Sequence, residues 1–512
     1  MTVLIISPQK ILTIMYFTIF YPTLFIQENK KARNSYHSKR LSLFYFHFFS
    51  EKNPQFWYVL ITTKKTKNEG FHMKSVQETS LHFNKRVKIN FDGGDLSSDS
   101  GLLLYKEFDE KLGITKMIKE KINITDSSSH HTHSNHDVIM QKVYQHLAGY
   151  HTDNAADDLQ VEPTMLRVFS KERLASQPTI SRLNSKVDEE TVNQFQQTIQ
   201  CLFDRVQLVK PSDGYIFDID SANFETTGNQ ENTAYNAHYR TMGFHPLFLF
   251  DGLTGDCIKA VLRSGNVYTS NGVVEFLEPV LIHFKELYPH CPIIIRGDSG
   301  FASPGLYELC EKYDVHFVIR LKANAKLNGF AQALEAQITK NLEITSKPCV
   351  FYQEMNYKAA SWHTERRVII KLEKPTDELL FTYTFIVTSL SANAKNIVKT
   401  YQNRGTMENF IKEGKNGFAF DWLSSHSQKT NAIRLQMSVL AYNFHNWFRR
   451  ICLPNKVRNQ TMETIRSQLI KIAGKVIRSS RYITFKLCSS CLYKDAFWQT
   501  LRNIQRLQVK IE

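Results

Sequence analysis

The sequence predicts a mixed α/β protein: an α-helical domain, then a mixed sheet with flanking helices, interrupted by a β-rich insertion. Three observations predict it. Segments of helical apolar spacing, from Leu102 to Leu208, add up to an α-rich domain at about 75–210. After Pro211, short apolar runs alternate with helical stretches in the order strand, hairpin, helix, strand, helix, strand. From about 340 to 390 the helical period gives way to three strand-like runs. At 512 residues the chain exceeds what one core usually supports, so two to four domains are expected. Its 42% hydrophobic and 22% charged residues are those of a folding chain and exclude general disorder.

The elements follow in order. Lys85 to Phe91 alternates basic and apolar residues and breaks at Gly93-Gly94. Ser97 to Ser100 can cap a helix carrying Leu102, Leu103, Leu104, Phe108 and Leu112. Val138 to Gly149 and Val187 to Leu208 have helical spacing, and a further helix begins after Pro178. Gly214 to Asp220 is an apolar strand ending in acid. Pro246 to Phe250 and Cys257 to Leu262 flank the turn Asp251-Gly-Leu-Thr-Gly255 as a hairpin. Asn271 to Tyr288 reads as a helix, Pro292 to Asp298 as a second strand ending in acid. A helix at Ser303 to Tyr313 and a strand at His316 to Leu321 complete this part. The β-rich runs are Cys349 to Tyr352, Arg367 to Leu372 and Phe381 to Val387. Helical spacing resumes from Asn396 to Arg450, then a helix near 461–475 precedes a strand at Tyr482 to Leu487. The expected segments are therefore a leader at 1–72, an α-helical DNA-binding or dimerisation domain at 73–210, and a core at 211–339 and 391–450. The β-rich insertion at 340–390 and a basic C-terminal region at 451–512 complete the set.

Charge is concentrated at the ends. The net charge is +15, yet residues 1–72 carry ten Lys/Arg against three Asp/Glu, and 451–512 carry twelve against three. The middle is near neutral, which excludes a uniformly basic coat while pointing the ends toward a polyanion. Ile11 to Gln27 is uncharged but short for a bilayer and contains Pro22, so no membrane span is expected. Met73 is expected to be the working start, with 1–72 a non-native or disordered leader. Eight scattered cysteines form no disulfide framework, and Cys488-Ser-Ser-Cys491 has no second pair to complete a zinc site. The tract His130, His131, His133 and His136 reads as a solvated loop. A reducing, cytoplasmic setting is the expectation.

Three acids draw attention. Asp220 and Asp298 each end an apolar strand, where an α/β sheet presents functional side chains beyond its carboxyl edge. Glu408 lies in Tyr401-x(2)-Arg404-x(3)-Glu408-x(6)-Lys415. On one continuous helix, at about 100° per residue, these four side chains project within about 60° of each other. A glutamate flanked by cations suits a metal ligand facing phosphate. Two aspartates and a glutamate are a hard-oxygen set for two divalent cations, Mg²⁺ or Mn²⁺. Gly297-Asp-Ser-Gly300 matches the nucleophile loop of chymotrypsin-like proteases, but Phe301 stands where another glycine would follow and the surroundings are helix-rich.

With these residues in place, the chain resembles a DDE transposase of the insertion-sequence type, and most resembles insertion-sequence family 1380. The signature is matched without departure at Tyr401, Arg404, Glu408 and Lys415. Supporting stretches are Phe91 to Asp95, Leu174 to Leu183, Asp218 to Ala222, His245 to Asp256 and Arg296 to Phe301, so the resemblance covers about 85–490. It implies an RNase H-like catalytic core, with Asp220, Asp298 and Glu408 as the catalytic, metal-binding triad. Tyr401, Arg404 and Lys415 are implied DNA contacts. Asp218, two residues before Asp220 on the same strand face, is the competing candidate. Ala222 stands where Thr is frequent in this group. The implied activity is metal-dependent cleavage of double-stranded DNA at terminal inverted repeats and strand transfer to a target, by a homodimer in the DNA complex. The alternatives are a non-catalytic, domesticated or decayed DNA-binding protein, or a structure-selective nuclease, on the same fold.

Overall fold

The structure is a computed structural model that describes residues 42–45, 58–61, 78–126, 132–341, 348–376, 378 and 380–509. Met73, His130, His131 and Ile11 to Gln27 lie outside them. The chain forms two compact units, Met1–Asp92 and Gly93–Glu512. In the first, Ser42–Tyr45 pairs antiparallel with Tyr58–Ile61, although no strand period is evident around Leu41 to Phe49. Thr79–Ser80 pairs with Lys88–Ile89, so only two residues of the alternating run become strand. The expected boundaries at 210, 340, 390 and 450 all fall inside the second unit.

That unit is built around an eight-stranded mixed sheet: β1 (Tyr215–Ser221), β2 (Leu247–Asp251), β3 (Cys257–Val261), β4 (Ile293–Gly297), β5 (His316–Leu321), β6 (Cys349–Tyr357), β7 (Arg366–Lys374) and β8 (Thr382–Thr388). The order is β3-β2-β1-β4-β5-β8-β7-β6. The first three strands are antiparallel, β1, β4 and β5 run parallel, and β8, β7 and β6 return to antiparallel pairing. The runs between 349 and 388 are thus not a separate sheet. They extend the central one through β5–β8 pairing, a register between distant segments that no local period encodes.

Between β1 and β2, Phe224–Glu225, Ala234–Asn236 and Thr241–Phe244 form a small three-stranded sheet absent from the sequence reading. Gly243 is required there, because a Cβ would collide with the Phe224 carbonyl. The expected cap at Ser97–Ser100 is also not made: Gly101 caps the helix Leu102–Leu112, and Leu96–Ser97 pairs instead with Gly474–Lys475.

Helices cover both faces. Ala394–Gln402 packs Ala394, Ile397 and Val398 against Val318, Ile369 and Ile386. On the other side runs Gln428–Cys452, buried over most of its length although Asn431, Gln436, Asn443, His445 and Asn446 are among its buried residues. Its Phe444 and Phe448 meet Tyr105, which stacks on Phe448 at 4.2 Å. The same helix covers the sheet edge: Asn443 accepts from Cys257 N (2.8 Å) and donates to Cys257 O (2.7 Å), while Gln436 donates to Ala260 O (2.8 Å). Backbone groups that would sit unpaired along β3 are satisfied this way. The helices Asn135–Ala148 and Glu189–Val209 each begin with a reciprocal capping box, at Ser134/Asp137 and Asp188/Thr191.

Candidate active site

Asp220 lies at the carboxyl end of β1, and Asp298 follows β4 directly. In the parallel register Asp218 pairs with Arg296, so two residues further on Asp298 stands beside Asp220. Neighbouring strands are about 4.8 Å apart, which makes these acids adjacent at one sheet edge. Asp298 accepts from Gly300 N at 2.8 Å and caps the short turn Ser299–Phe301. The would-be protease loop is therefore a strand-end turn on a mixed sheet, not part of a β-barrel.

Asp218 and Arg296 form a buried pair, Nε to Oδ1 and Nη2 to Oδ2, both 2.6 Å. Arg296 also donates to Thr400 O at 2.7 Å. Gly252 makes room for them: a Cβ there would strike Asp218 Oδ2 and Arg296 Nη2. Burial pushes the Asp218 carboxyl up, and the hydrogen bonds from Arg296 pull against it. Both of its oxygens are committed.

Asp220 has a different cation. Arg404 Nη2 sits 2.9 Å from its Oδ2 and donates to the Ile219 carbonyl at 3.2 Å. Arg404 is only 8% exposed, and its buried Nε has no hydrogen-bond partner. The Asp220 carboxyl is nevertheless pushed up from its ordinary 3.8 to about 6. Burial is the largest cause; Arg404 opposes it, while the charges of Asp298 and Glu408 add to it. Both other acids thus act on the Asp220 carboxyl.

The continuous helix expected through Tyr401 to Lys415 is broken. Ala394–Gln402 ends, and Gly405–Phe418 begins after Arg404. Arg404 N bonds to Tyr401 O and Met407 N to Arg404 O, a tightening to three-residue spacing. Asn403 and Gly405 are weak helix formers, and the break turns Arg404 inward onto Asp220 while Glu408 stays exposed. Glu408 occupies the first turn of its helix, where an acid is also favoured by the helix dipole. Lys415 Nζ donates to Asn223 O at 2.8 Å and lies 5.0 Å above the Phe224 ring, tethering the chain that leaves β1. Burial raises the Tyr401 phenol, with Arg404 and Arg320 acting the other way.

Among the described residues no three His, Cys, Asp or Glu side chains are gathered closely enough to hold a metal ion. Three carboxylates repel one another, and Asp220 and Asp298 are held by Arg404 and Gly300. The donor set itself suits a divalent cation: hard oxygens, with the added charge of Asp298 and Glu408 already disfavouring ionisation of Asp220.

A family model described as transposase DDE domain group 1 matches residues 79–509. The chain belongs to that family. No curated protein matches the chain. Among solved structures, the transposase is similar to a piggyBac transposase synaptic complex with hairpin DNA, at 15% identity and a TM-score of 0.42, covering 73% of this chain and 79% of that one.

Two residues near the transposase's acids went unnoticed in the sequence. Tyr239, 41% exposed, is raised by burial and then by Asp220 and Asp298. Arg320, exposed on β5, acts on Tyr401. The signal for Tyr239 was an aromatic, basic loop, His238-Tyr-Arg240, after the first acid. The isolated charge in the apolar run Ile293-Ile-Ile-Arg296 likewise signalled a buried partner. The His133 and His136 part of the tract flanks a helix start, with His136 Nε2 2.7 Å from Ile122 O, and all eight cysteines are free. No helix among the described residues is long and apolar enough to cross a membrane.

Proposed function

We propose that this protein is the transposase of an insertion sequence of the 1380-like type, cutting double-stranded DNA at terminal inverted repeats and joining it to a target. The observation that carries the reading is the side-by-side placement of Asp220 and Asp298 at neighbouring parallel strand ends, with Glu408 acting on the same carboxyl. The strand order β3-β2-β1-β4-β5, antiparallel then parallel, supports an RNase H-like core.

In this reading Asp220, Asp298 and Glu408 would hold two Mg²⁺ or Mn²⁺ ions. Such ions, when bound, activate a water or 3′-hydroxyl and stabilise the departing oxygen of an in-line phosphoryl transfer. The chain's own residues do the rest. Asp218 and Arg296 fix the strand geometry under the site. Arg404 orients Asp220 and meets a phosphate only where that phosphate reaches the acids. Lys415 holds Asn223, and Tyr401 and Lys415 border the DNA-facing side. The protein acts as a homodimer on paired ends, with the helices of 93–210 contributing to repeat recognition.

The test incubates purified protein with a labelled duplex carrying the sequence that flanks its gene, with Mg²⁺ and with EDTA. Metal-dependent nicking at the repeat boundary is expected, lost in Asp298→Asn and Glu408→Gln while binding survives. Equal cleavage by these variants would overturn the assignment; binding without cleavage by the wild type would favour a non-catalytic DNA-binding protein.

A further inference from the structure

The C-terminal strands make a two-stranded antiparallel ribbon, Gly474–Arg478 with Ile483–Leu487, in the register Gly474↔Leu487 to Arg478↔Ile483. Its root is anchored. Gly474 and Lys475 pair with Ser97 and Leu96, Val476 N donates to Asp95 O at 2.8 Å, and Val476 is buried. Its far end is not: every residue from Ile477 to Thr484 is exposed. The tip is nonetheless ordered, with Ser479 N donating to Tyr482 O at 2.9 Å and Tyr482 N to Ser479 Oγ at 3.1 Å.

Two properties of this tip demand a partner. Ile477, Tyr482 and Ile483 are 37%, 71% and 47% exposed, on the part of the ribbon that the third strand, Leu96–Ser97, does not reach. The span 474–487 also contains Lys475, Arg478, Arg481 and Lys486 and no acid. The neighbouring carboxylate is Asp95, 3.9 Å from Arg478 and itself exposed. Apolar side chains between cations fit a polyanion that also offers an apolar wall. A second copy of this chain is a poorer occupant, because its own 451–512 region is as basic and its middle is near neutral, so it offers no concentrated negative charge to these four cations. Duplex DNA fits in charge and in shape, since a major groove about 12 Å wide admits a two-stranded ribbon.

The ribbon is also mechanically joined to the acids. Arg466, just ahead of it, donates to Gly417 O at 2.8 Å and to Leu147 O at 3.0 Å. Gly417 belongs to the helix that carries Glu408. One buried guanidinium therefore ties the ribbon root to that helix, so DNA seated on the ribbon would lie at a fixed offset from the cutting site.

We propose that the Ile477–Thr484 end of this ribbon enters the major groove of the transposon-end duplex, with Lys475, Arg478, Arg481 and Lys486 on phosphates and Ile477, Tyr482 and Ile483 on the groove wall. This rests on the transposase reading and adds a docking element to it. The experiment compares full-length wild type with Arg478→Ala/Arg481→Ala/Tyr482→Ala on the gene-flanking duplex, by equilibrium binding across a salt series and by dimethyl sulfate protection of guanine N7. All three side chains are exposed, so the variant's thermal midpoint checks that its fold is retained. The expected result is at least about a tenfold weaker Kd, a slope of log affinity against log salt reduced by about 2, and N7 protection lost over one groove segment. Arg478→Lys/Arg481→Lys is expected to restore the slope. Unchanged affinity, slope and protection would overturn the proposal, as would a change in oligomeric state with DNA binding intact. Metal-dependent cleavage by wild type is measured alongside: if it occurs while the ribbon variant binds normally, the ribbon role alone falls. If wild type binds through the ribbon but never cleaves, the catalytic reading falls.

Discussion

Two aspartate–arginine pairs stand two residues apart on β1, and their differences separate scaffold from site. Asp218 is fully buried and gives both oxygens to Arg296, from the adjacent strand, at 2.6 Å. Asp220 gives one oxygen at 2.9 Å to Arg404, a residue of the turn between two helices. The first pair is closed on itself, with Gly252 shaped to admit it. The second is open: its carboxyl is raised to about 6, its arginine keeps an unpartnered Nε, and two further acids bear on it. Identical chemistry thus serves as a clamp at one position and as a replaceable counter-charge at the next.

The contrast is sharpest in stability. Asp218→Asn should leave Arg296 buried without its counter-ion and cost about 3–5 kcal/mol in denaturant unfolding, far more than Asp220→Asn. Equal losses at the two positions would erase the distinction. Activity should reverse the ranking: Glu408→Gln is expected to lower metal-dependent cleavage by about a hundredfold or more with the thermal midpoint unchanged, because Glu408 is exposed. A smaller loss, about 1–3 kcal/mol, is expected from Gly252→Ala, whose methyl must displace the Asp218–Arg296 pair. The smallest effect concerns pH. The folded-state carboxyl of Asp220 is raised, so its stabilising contribution is complete below about pH 4 and lost as pH rises through about 6. In EDTA, Asp220→Asn should therefore gain on wild type between pH 4 and 7 by less than about 2 kcal/mol, read from thermal midpoints. A difference independent of pH would place the titration elsewhere.

Much of this was legible in the sequence, for local reasons. Apolar runs ending in acid located β1 and β4, and Asp251-Gly-Leu-Thr-Gly255 located the β2–β3 hairpin, because strand length and turn chemistry are written in neighbouring residues. His316–Leu321 matches its strand residue for residue. What was missed depends on distant partners. The joining of β6 to β8 onto β5 rests on pairings such as Ile319 with Val387. Tyr239 reaches the acids through the small sheet between β1 and β2, whose short strands carry little period. The helix break at Arg404 was overlooked because the spacing from Tyr401 to Lys415 fits one uninterrupted helix face, although the weak helix formers Asn403 and Gly405 flank it and Asp220 holds the guanidinium once the chain turns.

The central claim, that Asp220, Asp298 and Glu408 serve one divalent-cation site while Asp218 does not, is tested most directly by anomalous diffraction from crystals of the protein soaked in Mn²⁺. Manganese density contacting the carboxylates of Asp220, Asp298 and Glu408, with Asp218 still on Arg296, is the predicted result. Manganese bound elsewhere, or ligated by Asp218 with Arg296 displaced, would contradict it.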